Sequence, residues 1–137
     1  MDLWNDTPPQ LRFGGVCIVT GDVRRLRAFY ESVFGIEGEG DDEHVDLRPA
    51  GAGLAIFSAA GMERMAPGSM AGTGAGNVVL GIHLDGGAEV IDALHTRLLA
   101  LEIPIVKPPQ THPWGARSVW CRDPDGNVVT FAARVEE

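Results

Sequence analysis

"RDPDGNVVTFAA", residues 122–133, sets two acids, a proline and a glycine directly ahead of a β-branched run. Proline presets φ at one central turn position and glycine accepts a positive φ at another, so this stretch reads as a tight turn. "SVWC", residues 118–121, precedes it and "VVTFA", residues 128–132, follows it; both are β-prone, and the segment is predicted to be an antiparallel hairpin. On this reading Asp123 and Asp125 serve the turn, accepting backbone N–H groups, and neither is expected to be catalytic.

Outward from the hairpin, the hydrophobic period changes in a regular order. "NVVLGIHLD" (77–85) reads as a strand, and "GGAEVIDALHTRLLALE" (86–102) as a helix with Ile91, Leu94, Leu98 and Leu101 on one face. "IPIVKPPQ" (103–110) and "ARSVWCRD" (116–123) are further strands leading into the closing one. The first half runs the same way. "FGGVCIVT" (13–20) is a strand, and Asp22 stands at the N-cap of "VRRLRAFYESVF" (23–34), whose Val23, Leu26, Tyr30, Val33 and Phe34 recur at helical spacing before the Gly35 stop. "IEGEG", "EHVDLRP" and "GLAIFSA" are three short strands between Gly, Asp and Pro signals. The predicted fold class is therefore α+β, with two tandem βαβββ modules at residues 13–58 and 77–135. Residues 1–12 form an N-terminal arm. The Gly/Ala/Met-rich stretch 59–76 is either a disordered linker or a flap over a site.

A chain of 137 residues is long enough for one domain with its own core. Its net charge of −8 and the lack of a basic stripe argue against nucleic acid as a partner. No apolar run reaches membrane-spanning length and the first ten residues lack signal-peptide character, so a cytoplasmic protein is expected, with no membrane partner. Cys17 and Cys121 each lie in an apolar strand-like run and are expected to be buried free thiols.

The order of elements, the spacing of Asp22 from Phe29 and Tyr30, and the closing "DPDGN" (123–127) resemble the vicinal oxygen chelate superfamily. That group includes glyoxalase I, extradiol dioxygenases, fosfomycin-modifying enzymes and bleomycin resistance proteins. The resemblance covers about Phe13 to Ala133. It implies that each module curls its sheet into a half-open trough, that a ligand lies between facing troughs, and that the protein is a homodimer. It also implies a divalent metal held by His and Glu on the first and fourth strands of each module. Carried over residue by residue, those positions fall on Gly15, Ala55, Val79 and Thr130. None is a strong donor, since such cations take carboxylate, imidazole or thiolate ligands. No metal and no other cofactor is expected at the family position.

Two alternatives stay open at this point. His44 and Asp46 share one strand face, and Val79, Gly81 and His83 share another, so a displaced His-Asp-His metal site or a metal-free base at His83 or His44 is conceivable. Against these stands an aromatic, polarizable surface. Parity sends Ser118, Trp120 and Arg122 opposite to Val119 and Cys121, while Trp114, Phe57, Met62 and Met65 lie on adjoining segments. Phe57, Met62, Met65, His83, Trp114, Trp120 and Arg122 are therefore the expected ligand-binding residues, suited to a flat organic compound and, through cation–π contact, to a cationic one. The favoured reading is a metal-free small-molecule binding protein of bleomycin-resistance character. The rival is a lyase, isomerase or oxygenase of glyoxalase or dioxygenase character, and a third possibility is an interaction domain. Leu3 and Trp4, followed by the stiff Pro8–Pro9 pair, give the arm the means to contact a partner subunit.

Overall fold

A computed structural model describes residues 9–10, 13, 15–49 and 53–135. The first module comprises β1 (Gly15–Thr20), α1 (Val23–Phe34), β2 (Glu39–Gly40), β3 (His44–Leu47) and β4 (Gly53–Ser58). A short helix, α2 (Ala59–Met65), leads out of it. The second module comprises β5 (Val79–Leu84), α3 (Ala88–Ala100), β6 (Ile105–Thr111), β7 (Ala116–Arg122) and β8 (Val128–Arg134). Each module contributes a four-stranded mixed sheet, ordered β1-β4-β3-β2 and β5-β8-β7-β6. The first and last strands of each module pair in parallel, and the rest pair antiparallel. The two βαβββ modules, the α+β class and the order of elements along the chain are as the sequence predicts.

Local chemistry explains the elements. Asp22 caps α1 by accepting the Arg25 N–H at 3.2 Å, and Gly35 ends the helix in the left-handed region at φ 69°. Val23, Leu26, Phe29, Tyr30 and Val33 form its buried stripe. Pro108 and Pro109 sit within β6, which is tolerated because β6 is an edge strand with one side free of ladder bonds. Alternation divides each sheet into a helix-covered face and an open face. Ile18, Val45, Leu47, Leu54 and Ile56 are buried on the first covered face; Leu80, Val119, Cys121, Val129 and Phe131 are buried on the second.

Tyr30 and the closing turn join the two modules. Tyr30 is fully buried, and its hydroxyl donates to Asp123 Oδ2 at 2.6 Å. The same oxygen accepts Asn127 Nδ2 at 2.8 Å, while Oδ1 accepts the Asp125 and Asn127 backbone N–H groups, both at 2.9 Å. Asn127 Oδ1 in turn accepts the Val78 N–H at 3.2 Å, tying the turn to the start of β5. Burial, with the Asp123 carboxylate beside it, pushes the Tyr30 hydroxyl far above the ordinary phenol range, so it remains a donor. Phe34 meets Phe131 edge-on at 6.4 Å, and buried side chains of both modules form one hydrophobic core.

Two expectations are corrected, and the stretch 59–76 is seen to open with a helix: Ser58 accepts the Gly61 N–H at 2.9 Å and nucleates α2. Leu101 ends α3 at 42 % exposure instead of joining its buried face, because the helix stops at Ala100. Cys17 is exposed while Cys121 is buried. The arm residues Leu3 and Trp4 lie outside the described residues. No described helix is long and apolar enough to cross a membrane.

Candidate functional site

The open face of the first sheet is built in rows set by strand register. Cys17, Ala55 and Asp46 are neighbours across β1, β4 and β3; Val19, Phe57 and His44 form the next row. His44 lies over Phe57 with ring centroids 4.9 Å apart, and its Nε2 is 3.2 Å from Asp46 Oδ1. Helix α2 closes this end of the face, since its buried Gly61 approaches Phe57 and Glu43 so closely that a side chain there would collide with both. Beyond Asp46 the face opens into a cleft of about 480 Å³, with Gly15, Gly53 and Ala55 along its floor and Phe13, Asp46 and Arg48 at its sides.

Cys17 projects into this cleft, with its thiol pKa raised by partial burial and by the nearby Asp46 carboxylate. Burial, followed by Asp123, pushes Cys121 up to about 12. The thiolate is the reactive form, so the two cysteines should separate cleanly. Iodoacetamide at pH 8 is expected to label Cys17, faster as pH rises, and to leave Cys121 unmodified until the chain is unfolded; peptide mapping reads the result.

On the second sheet the open face carries Val79, Gly81 and His83 from β5, Thr130 from β8, and Ser118, Trp120 and Arg122 from β7, in the parity the sequence predicts. Val79 is 65 % exposed and Trp120 36 %. Lys107 Nζ lies 6.0 Å from the Trp120 ring centroid, a cation already placed over that aromatic face. Ser118 is buried and pairs with His112 Nε2 at 2.8 Å. The exposed Trp114 stacks on the same imidazole at 4.4 Å, nearly parallel to it.

The expected ligand-binding residues fall in separate places. Trp120 and Arg122 share the open face of β7, with Trp114 on the loop before that strand. Phe57 stands on the first sheet against His44, and Met62 and Met65 lie on α2, Met65 exposed and Met62 half-buried. His83 borders a third region, a cleft of about 290 Å³ with Phe34, Ile36, Leu94 and Phe131 between the modules. His44 and Asp46 are paired as their strand face predicts, but His83 is on the other sheet. Among the described residues no group of three or more His, Cys, Asp and Glu side chains is placed to hold a metal ion. Sequence reasoning reaches Gly15 and Ala55 only as metal positions and sets Cys17 in the interior, although strict alternation along "GVCIVT" sets Cys17 opposite Ile18.

The four superfamily metal positions also fail on their chemistry. Gly15, Ala55 and Val79 offer no donor atom, and the Thr130 hydroxyl is directed to the Leu80 carbonyl at 3.4 Å. The residues present do not fit the metal site the fold implies.

Comparison with known proteins agrees with this architecture. The chain is similar to a glyoxalase/bleomycin resistance protein/dioxygenase from Nocardioides, at 25 % identity over 96 % of this chain and 89 % of that one, with a TM-score of 0.77. It is similar to a lactoylglutathione lyase from Agrobacterium tumefaciens, at 28 % identity over 91 % and 95 % of the two chains and a TM-score of 0.72. A glyoxalase/bleomycin resistance protein/dioxygenase family enzyme from Burkholderia phytofirmans PsJN shares the fold at 21 % identity, covering 89 % and 98 % with a TM-score of 0.77. No curated protein matches the sequence. The model of one family matches residues 12–131, nearly the whole of the two modules, and the chain belongs to that family, the Glyoxalase/Bleomycin resistance protein/Dioxygenase superfamily.

Proposed function

We propose that this chain is a metal-independent small-molecule binding protein, sequestering or carrying an aromatic and cationic organic compound against its open sheet faces. One observation carries the reading. The positions at which the superfamily places metal ligands hold Gly15, Ala55, Val79 and Thr130, and the two on the first sheet floor a cleft of about 480 Å³. Small residues there leave room for a ligand where they offer none for coordination. The cationic character is supported by Lys107 over Trp120, a place a ligand cation can take, and by the net charge of −8, which attracts cations at long range.

The working form is proposed to be a homodimer. Val79 and Trp120 are exposed apolar side chains on one sheet face, and among the described residues β1, β2, β5 and β6 each end a sheet with an unpaired edge. A second copy laid over the open faces covers the exposed side chains and deepens the shallow cleft.

Native mass spectrometry of protein purified without chelators, paired with elemental analysis, tests the proposal. An organic adduct released chemically unchanged, with well under one metal per chain, is the expected result. Stoichiometric Zn, Mn, Ni or Fe that supports turnover and is lost in Thr130 or His83 variants overturns it. The enzymatic reading has its own observation, the His44–Asp46 pair at 3.2 Å, in which a carboxylate orients an imidazole as a base. Conversion of the bound compound with an imidazole-like pH limb, abolished in His44→Ala, decides for the enzyme.

A further inference from the structure

We infer that the superfamily's first-strand metal position is closed in this chain by the backbone itself, through the close approach of Gly15 to Gly53, so that no side chain of any chemistry can stand there. Gly15 has φ 139°, a region L side chains rarely adopt. A Cβ built on it lies 2.2 Å from the Gly53 carbonyl oxygen and 2.9 Å from Gly53 Cα, its partner on β4. These are backbone atoms of a paired strand, and they cannot swing aside as the end of a flexible side chain can.

The second module supplies an internal control. Val79 and Val128 occupy the corresponding register of the β5–β8 pair, and both carry ordinary β-branched side chains. Parallel pairing at this place in the fold therefore accepts a Cβ. The exclusion in the first module comes from the turned backbone at Gly15 and not from the register. The other positions have space: Val79 is 65 % exposed, and Ala55 and Thr130 are half-buried on open faces. Gly15 thus closes one of the four positions sterically, where the other three lack only a donor, and leaves bare peptide as the floor of the cleft. This inference stands apart from the binding proposal, because it concerns what the position excludes, whatever the cleft holds.

Thermal unfolding of Gly15→Ala, Gly15→His and Val79→His tests it. Both Gly15 variants are expected to lose the cooperative transition or to melt more than about 5 °C below the parent. Val79→His, the same imidazole at the matching position, is expected to stay within that margin, with all variants melted at a concentration at which the parent sediments as a single chain. A Gly15→Ala variant that melts within the margin overturns the inference, and so does a Val79→His variant that falls as far as Gly15→His. A second readout uses Zn²⁺ alone. Two variants are compared, one combining Ala55→Glu, Val79→His and Thr130→Glu and one adding Gly15→His to these; adding Gly15→His is expected to give no gain in zinc retained after dialysis, and a clear gain overturns the inference. Failure of the organic-adduct experiment leaves both readouts unaffected.

Discussion

Replacing Asp123 with alanine is expected to destabilise the chain by about 2–5 kcal/mol, at about 1–3 kcal/mol for each stranded buried donor, enough to remove a large part of the stability of a domain this size. The carboxylate is 4 % exposed and accepts four hydrogen bonds, from the Tyr30 hydroxyl, the Asn127 amide and two backbone N–H groups. Its removal strands the Tyr30 and Asn127 donors in a buried site, and a stranded buried donor costs more than an intact bond contributes. Tyr30→Phe removes one donor and leaves Asp123 its other partners, so a smaller loss of about 1–3 kcal/mol is expected. The double variant should cost less than the sum of the two, because both remove the same bond. Asp125 is the control. Its Oδ2 is buried with no partner among the described residues, and Asp125→Asn is expected to change stability by no more than about 0.5 kcal/mol. Urea unfolding followed by circular dichroism measures all four; an Asp123→Ala midpoint equal to that of Asp125→Asn refutes the assignment.

The same pair marks how far the sequence could be read. Element order was legible because each boundary carries local chemistry: the Asp22 cap, the Gly35 stop and the Pro-Asp-Gly turn all lie next to what they terminate. Asp123 was legible as a turn former for that reason, and its Oδ1 does serve the turn. Its Oδ2 bond to Tyr30 spans 93 positions and joins two modules, and periodicity carries no information at that range. Cys17 was assigned to the interior because a β-branched run hides its parity, whereas the alternation of Trp120 with Val119 and Cys121 was clear and is observed. Helix α2 was obscured by the glycine-rich composition around it, although Ser58 supplied the capping signal three residues before Gly61. At the site, the replacement of the metal donors was readable from residue identity alone. The closure at Gly15 was not, since it depends on a φ value and on a neighbour 38 residues away in sequence, both products of the assembled sheet.

Val79→Asp is expected to dissociate the proposed dimer by about a hundredfold or more while leaving the fold of each chain intact. Val79 is 65 % exposed in the single chain, so a carboxylate there stays in water and costs the isolated fold little. Once a second copy covers the open faces, the same carboxylate is desolvated, and Arg122, the cation in its register row, is already engaged with the Gly126 carbonyl at 2.9 Å. Such a group costs about 3–5 kcal/mol, and each 1.4 kcal/mol is roughly a tenfold change in a dissociation constant. Leu99→Asp provides the contrast, since Leu99 is comparably exposed at 55 % but lies on α3, away from the open faces. Sedimentation velocity over a concentration series distinguishes the arrangements. A dimer that survives Leu99→Asp and falls apart with Val79→Asp supports association through the open sheet faces. The reverse pattern moves the interface to the helices and leaves the cleft uncovered, and a parent chain that sediments as a monomer throughout removes the dimer altogether.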